Sequence, residues 1–432
     1  MVFELLENYN QDSKVTFTER TDPAYPGVTF VDMDVEFKEE TVPKILKYIF
    51  DSPIKDVYGI QAFSTLYDHH NPPNWEGCKN NSTVDKDGPL LQLISSDNRN
   101  RILIAHSDAV NASEITAGVK EETAEEMIFL GFFMNHCRKM KKYHVTLYID
   151  TGDRYYQDAI KDVCRFWEKE CGYKYAYTPE AAKKPLYSTW YTLHHHQFAD
   201  KIITQCKLAR KYGMETVIID DGWQFAEEGG YNLGGDWELS PHKIPSMNDF
   251  VNQLHDIGMK VMFWFSLSHC GKDSEAYKRF GDKILDRNGW IPTFDPRYAD
   301  VRDYLTEKIA GQAIEWGLDG VKIDFVDAFN YSDEVPFSDD RRDYERIYDA
   351  IPALLKQIND KLKTYNPDFL IEFRQKYYGP EIRKYGNMIR VSDCPDDSMR
   401  NHVAGTSMRM LLGPQAVHSD MLMWHNDDPV ES

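Results

Sequence analysis

Gly317-Leu318-Asp319-Gly320-Val321-Lys322-Ile323-Asp324 is the stretch that decides the fold. Helical periodicity over 302–316 runs into it, a glycine and an apolar residue follow, and a hydrophobic strand then ends on a carboxylate. Glycine after a helix takes the left-handed conformation without steric penalty, so the chain turns there into the next strand. The same unit occurs twice upstream. Helix 198–212 leads through Gly213 and Met214 into Thr216-Val217-Ile218-Ile219, ending in Asp220-Asp221, and helix 247–257 leads through Gly258 and Met259 into Val261-Met262-Phe263-Trp264-Phe265. Strands this apolar belong in a sheet buried on both faces, and their alternation with helices makes that sheet parallel.

Phe369–Phe373, Met388–Asp393 and Ala416–Asp420 extend the series. A long helix over 341–363 keeps Tyr344, Ile347, Ile351, Leu354, Leu355, Ile358 and Leu362 on one face. With Leu186–Leu193 as the first strand, seven strands are read, and an eighth is missing unless Trp290–Phe294 supplies it. Polar residues end nearly every strand, where barrel enzymes assemble their sites, so the expected fold is an α/β (β/α)8-type TIM barrel short of its last strand. An open doubly wound sheet is the competing arrangement, and no GxGxxG fingerprint supports it.

Ahead of the barrel, short β-rich runs (Val15–Phe17, Val28–Val31, Leu91–Ile94, Ile102–Ile104, Val145–Ile149) alternate with turn-rich stretches and read as a β-sandwich. A linker helix near Tyr155–Cys171 carries Ile160, Val163, Phe166 and Trp167 on one side. The polar stretch Thr178–Pro185 sets the boundary near 183, giving an N-terminal domain 1–183 and a catalytic barrel 184–432.

The 432 residues suffice for two or three cores, and 70 acidic against 50 basic side chains, a formal charge of −20, exclude a nucleic-acid surface. No cationic leader precedes an apolar run in MVFELLENYN, and no stretch approaches the roughly 18 to 20 apolar residues of a membrane helix. Seven cysteines, an odd set without a CxxC pair, point to a reducing cytoplasm rather than a disulfide framework or a thiolate zinc site. His194-His195-His196 is a poor metal site, since consecutive strand residues point to opposite faces. Neither metal nor cofactor is expected.

Chemistry is carried by the acidic residues at strand ends: Asp220, Asp221, Asp324, Glu372, Asp393 with Asp396 and Asp397, and Asp420. Glycoside hydrolysis needs two carboxyl groups flanking the scissile bond. Lys322 and Asp324 share a strand face, and an ammonium beside a carboxylate keeps it ionised, which makes Asp324 the nucleophile. The acid must hold its proton, and Asp393 has Asp396 and Asp397 as negative neighbours in sequence. Each signal has a plainer explanation. A strand-end acid often caps a helix, Trp190, Trp223, Trp237 and Trp264 serve equally as core, and His69, His70 and Trp75 serve as a surface loop. Arg374 has a helix acid as an alternative partner to a sugar.

Five stretches, in order, resemble motifs of glycoside hydrolase family 36: Ile219–Trp223, Gly235–Trp237, Gly258–Lys260 leading to Trp264-Phe265, Asp319–Asp324 and Ser392–Asp396. Family 27 α-galactosidases share the paired aspartates and the lysine-x-aspartate element. The resemblance covers about 185–432 and implies a retaining α-galactosidase acting on terminal α-galactosides of an oligosaccharide or glycoconjugate, with a β-sandwich before the barrel and a homo-oligomeric state. It implies Asp324 as nucleophile, Asp393 as acid/base, and Asp220 and Asp221 as ligands of the 4- and 6-hydroxyls. Lys322, Trp264 and Trp190 become sugar contacts, and Glu372 and Arg390 contacts to the 2- and 3-hydroxyls. Two stretches depart from the family: Glu372–Gly379 stands where members carry a cysteine- and glycine-rich segment shaping recognition at the 2-position, and Ser188–Tyr191 runs into histidines; against the resemblance, the usual eighth strand and C-terminal β-domain are also expected to be absent. An α-N-acetylgalactosaminidase, another α-glycosidase or a transglycosidase therefore stays open. Rivals of another class are a non-catalytic sugar-binding protein and a magnesium-dependent enolase-type barrel using Asp324, Glu372 and Asp393.

Overall fold

The structure, a computed structural model, describes residues 2–10, 12–52, 56–63, 71–135, 138–224, 231–287, 289–329, 339–393 and 397–420. It divides into two compact units, one of Met1–Tyr175 with Gln375–Lys384 and Met399–Gly413, the other of Ala176–Arg374 with Tyr385–Ser398 and Pro414–Ser432.

In the first unit, two antiparallel sheets of five and six strands share one core. Strand Val28–Thr41 is the spine of the larger sheet, paired with Ser13–Arg20 on one side and Met140–Asp150 on the other. Its inward residues Val31, Met33 and Val35 meet Ile115, Ile128 and Leu130 of the smaller sheet in the same buried cluster. All five β runs read from the sequence fall in these sheets. Helix Tyr156–Lys169 buries Ile160, Val163, Phe166 and Trp167, the face its periodicity marks.

The second unit is built on a seven-stranded parallel sheet whose spatial order is the chain order: Leu186–Ser188, Thr216–Ile219, Lys260–Ser266, Gly320–Asp324, Leu370–Arg374, Met388–Arg390 and Ala416–His418. Register places Ile218 beside Met262, Met262 beside Gly320, and Gly320 beside Leu370. Ala182, Ile218, Met262, Leu370, Met388 and Ala416 close into one apolar cluster, and His418 meets the Ala182 carbonyl at 2.7 Å. First and last strands thus approach through the short turn Glu180–Lys183, and the sheet curls into a half-barrel. Gly213, Gly258 and Gly317 have φ of +85°, +84° and +68°, as the helix-to-strand turns require.

Several elements differ from their sequence expectation. The first strand stops at Ser188, because the buried Thr189 turns the chain: its hydroxyl donates to Ile218 O at 3.2 Å and accepts from Asp220 N at 3.0 Å. Trp190–Leu193 is consequently helical. Trp290–Phe294 adds no parallel strand, since Thr293 and Phe294 bridge antiparallel to His269 and Ile284. The long helix begins at Ile347 rather than 341, the preceding segment being drawn into ion pairs of Arg342 with Asp295 and of Arg302 with Asp343. The helix over 302–316 contains one π turn, Glu307–Gly311. Among the described residues no helix is long and apolar enough to cross a membrane.

Candidate active site

Asp220, Asp221, Asp324, Asp393 and Asp420 lie at or just past the C-terminal ends of their strands, and Glu372 lies within the fifth strand, two residues before its end. Parallel register converts sequence position into depth: Ser266 pairs with Asp324, and Trp264 with Lys322, which in turn pairs with Glu372. Asp324 ends the fourth strand, and its Oδ2 accepts from the Trp264 indole N–H at 2.9 Å. Its Oδ1 accepts from the Phe325 amide at 2.7 Å and from the Arg374 Nε. Burial alone would raise the pKa of Asp324, but the charges of Arg374 and Lys322 and the donated hydrogen bonds outweigh it and hold the group at about 2. These partners hold Asp324 as a buried carboxylate in its ionised form.

Lys322 lies on the same face and donates to Asp220 Oδ2 at 2.6 Å. A buried ammonium and a buried carboxylate offset each other's desolvation, which neither would survive unpaired. Asp220 Oδ1 accepts from the Asp221 amide at 2.9 Å, and Asp221 is clamped by Gln224 at 2.5 Å and His195 at 3.4 Å. Glu372, next to Lys322, is pushed up in pKa by burial despite Lys322, His418 and Arg390.

Arg390 ends the sixth strand, and its fork spans two acids, Asp393 Oδ1 at 2.8 Å and Asp420 Oδ1 at 2.5 Å. The Tyr191 hydroxyl completes that line by donating to Asp420 Oδ2 at 3.1 Å. The electrostatics of Asp393 reverse the expectation from sequence. Partial burial raises its pKa, but Arg390 and Arg374 outweigh this and lower it, Arg374 Nη1 donating to Asp393 Oδ2 at 2.9 Å. Its nearest charges are thus two guanidiniums rather than the neighbouring aspartates, of which Asp396 lies outside the described residues. Because a single guanidinium reaches both Asp324 and Asp393, their facing oxygens lie within about 8 Å of each other.

Trp264 is buried, edge-on to Trp237 at 5.6 Å between ring centroids, and serves Asp324 through its N–H. Trp223 and Trp237 are core. Trp190 packs its indole against His194 and His195, 4.8 and 5.7 Å between centroids, so two of the three consecutive histidines pack on an aromatic side chain. Trp75 is exposed with its indole N–H toward Glu121 at 3.4 Å, while His69 and His70 lie outside the described residues. Arg374, weighed in the sequence as a partner of a sugar or of a helix acid, instead bridges Asp324 and Asp393. Sequence reasoning gave no role to Tyr191 or to the Tyr231–His269–Phe325 ring cluster, in which His269 and Phe325 lie 4.3 Å apart, and nothing in the sequence pattern singles them out.

A curled parallel sheet that gathers buried carboxylates and matching cations at the C-terminal ends of its strands defines a barrel-type site built for carboxylate chemistry. Residues 174–418 match the Melibiase family model, and the chain belongs to that family. Among its relatives is an α-galactosidase of Lactobacillus acidophilus, 25% identical over 217 residues, a stretch that is 46% of this chain and 29% of that protein. The bifunctional α-galactosidase/sucrose kinase of Mediterraneibacter gnavus is 23% identical over 230 residues, 51% of this chain and 23% of that protein. A family 36 α-galactosidase of Geobacillus stearothermophilus, solved in complex with stachyose, shares the fold with a TM-score of 0.66 at 15% identity, over 94% of this chain and 60% of that one. The chain therefore spans less than two thirds of these relatives, and the family 36 resemblance read from its motifs holds.

Proposed function

We propose that the chain is a retaining α-glycosidase of the α-galactosidase type, hydrolysing terminal α-galactosides of oligosaccharides or glycoconjugates by double displacement. The observation that carries this is Asp324: an ionised carboxylate buried at a strand end, with Trp264, Arg374 and Lys322 holding its charge and Asp393 reached by the same guanidinium. Asp324 attacks the anomeric carbon while Asp393 protonates the leaving oxygen; water then cleaves the glycosyl-enzyme with Asp393 as base. The bound on their separation admits the roughly 5 Å of a retaining pair. Asp220 and Asp221, acceptors set side by side, suit the axial 4-hydroxyl and the 6-hydroxyl of galactose. Lys322, Trp264 and Trp190 contact the ring, and Glu372 and Arg390 the 2- and 3-hydroxyls.

The same reading takes the half-barrel as part of a (β/α)8 barrel over 184–432 preceded by a β-sandwich over 1–183, and the protein as a cytoplasmic homo-oligomer. An enolase-type magnesium site is disfavoured, because the cations between Asp324, Glu372 and Asp393 are Lys322, Arg374 and Arg390 of the chain itself.

Turnover of a panel of 4-nitrophenyl α-glycosides, including the 2-acetamido sugar, tests the reading. Asp324→Ala should lose turnover, keep sugar affinity, and yield a β-galactosyl azide when azide is supplied. Undiminished hydrolysis by that variant rejects it.

A further inference from the structure

Arg374 stands on the fifth strand within the stretch that departs from the family pattern, and it joins the two carboxylates a glycosidic bond must pass between. Nε binds Asp324 and Nη1 binds Asp393 at 2.9 Å, and the guanidinium lies 5.1 Å from the Phe325 ring centroid. Phe325 is held in that place by a left-handed backbone, φ +56°, and by contacts of its ring with His269 and Tyr231. The far end of the bridge is looser, for the Asp393 side chain is 49% exposed against 6% for Asp324.

We infer that Arg374 is a positioning residue that keeps the acid/base idle in the free enzyme: it ties Asp393 to Asp324, and a sugar ring entering between the two carboxyls breaks that tie. This rests on the glycosidase reading. Two guanidiniums favour the ionised form of Asp393 and make it a poor proton donor; displacing Arg374 leaves only Arg390, which Asp420 shares, so the proton affinity of Asp393 rises toward that of a competent acid. Other groups facing Asp393 among the described residues include Arg390 from the sixth strand, with Asp420 from beyond the seventh strand on its far side, and the Tyr191 hydroxyl from the helical turn after the first. Arg390 is anchored by Asp420, whereas the counter-ion that tethers Arg374 is the proposed nucleophile, which the incoming sugar must cover. Arg374 is thus the partner that substrate can move. Breaking this contact requires no covalent step; Asp393 takes its proton from solvent.

The test uses the wild-type protein and an unactivated substrate, methyl α-galactoside, whose departure requires the acid. The alkaline limb of kcat/KM reports Asp393 in the free enzyme, and that of kcat reports it in the complex. In wild type the kcat limb should lie about one pH unit or more above the kcat/KM limb. Arg374→Gln removes a cation that favours the ionised form, so its kcat/KM limb should rise and close the gap; Arg374→Lys should keep the gap. Coincident limbs in wild type overturn the inference without any variant. Equal loss of kcat/KM at every pH in Arg374→Gln, with the gap intact, overturns it as well and leaves only a structural role. The glycosidase reading is judged separately by azide rescue of Asp324→Ala; were that variant fully active, both would fall.

Discussion

Asp324, the nucleophile we propose, is held charged where water is scarce by three donors and two cations rather than by solvent. With its pKa near 2, the acidic limb of kcat/KM on an aryl α-galactoside should lie well below pH 4. Lys322→Met removes a charge that favours ionisation, so the pKa of Asp324 must rise and the acidic limb move up by about one unit or more. The same change leaves Asp220 buried without its ammonium and should raise KM. A pH-rate profile measures both, and an unmoved acidic limb would show that Lys322 does not act on Asp324. Trp264→Phe deletes a single hydrogen bond to a charged group; kcat/KM should drop about tenfold or more, without a new pH limb.

At the scale of elements, site geometry follows from how each strand ends. Gly222 has φ +113°, and a Cβ there would sit 2.5 Å from the His195 Cα and 3.0 Å from the His194 carbonyl, backbone that cannot yield cheaply. Gly222→Ala should therefore displace the Asp220–Asp221 turn, costing stability and raising KM together; a stable variant with unchanged KM would sever that link. This also explains what the sequence could and could not reveal. Asp220, Asp221, Lys322 and Asp324 were legible because they end apolar strands after a helix and a glycine, a pattern set by local physics. The Thr189 turn was not, since it depends on a hydrogen bond to Ile218 across the sheet, and Leu186–Leu193 carries no breaker to announce it. The acidic neighbours Asp396 and Asp397 misled about the charge state of Asp393, which is governed by Arg390, three residues before it, and by Arg374, which only the fold brings in from the fifth strand. The strand Leu46–Ser52 and the pair Ser113–Lys120 with Glu125–Phe132 escaped because polar residues interrupt their apolar runs, and pairing across strands decides them.

For the whole molecule, the sharpest consequence is thermodynamic, because a ligand that binds only the folded state raises stability by RT ln(1 + [L]/Kd), about 2.7 kcal/mol at a hundredfold excess over Kd. Galactose should raise the melting temperature by several degrees, whereas glucose and mannose should do far less. Glucose differs only at the 4-hydroxyl, so its smaller effect isolates the contribution of Asp220 and Asp221, and Asp220→Asn should abolish the preference. Asp324→Ala should retain the galactose shift, since the proposed hydroxyl ligands Asp220 and Asp221 remain while the proposed nucleophile is lost. Arg374→Gln should enlarge it, for the sugar no longer has to displace a guanidinium before it can bind. Equal shifts from all three sugars would contradict the galactose assignment, and a galactose shift reduced in Arg374→Gln would instead make that guanidinium a ligand of the sugar.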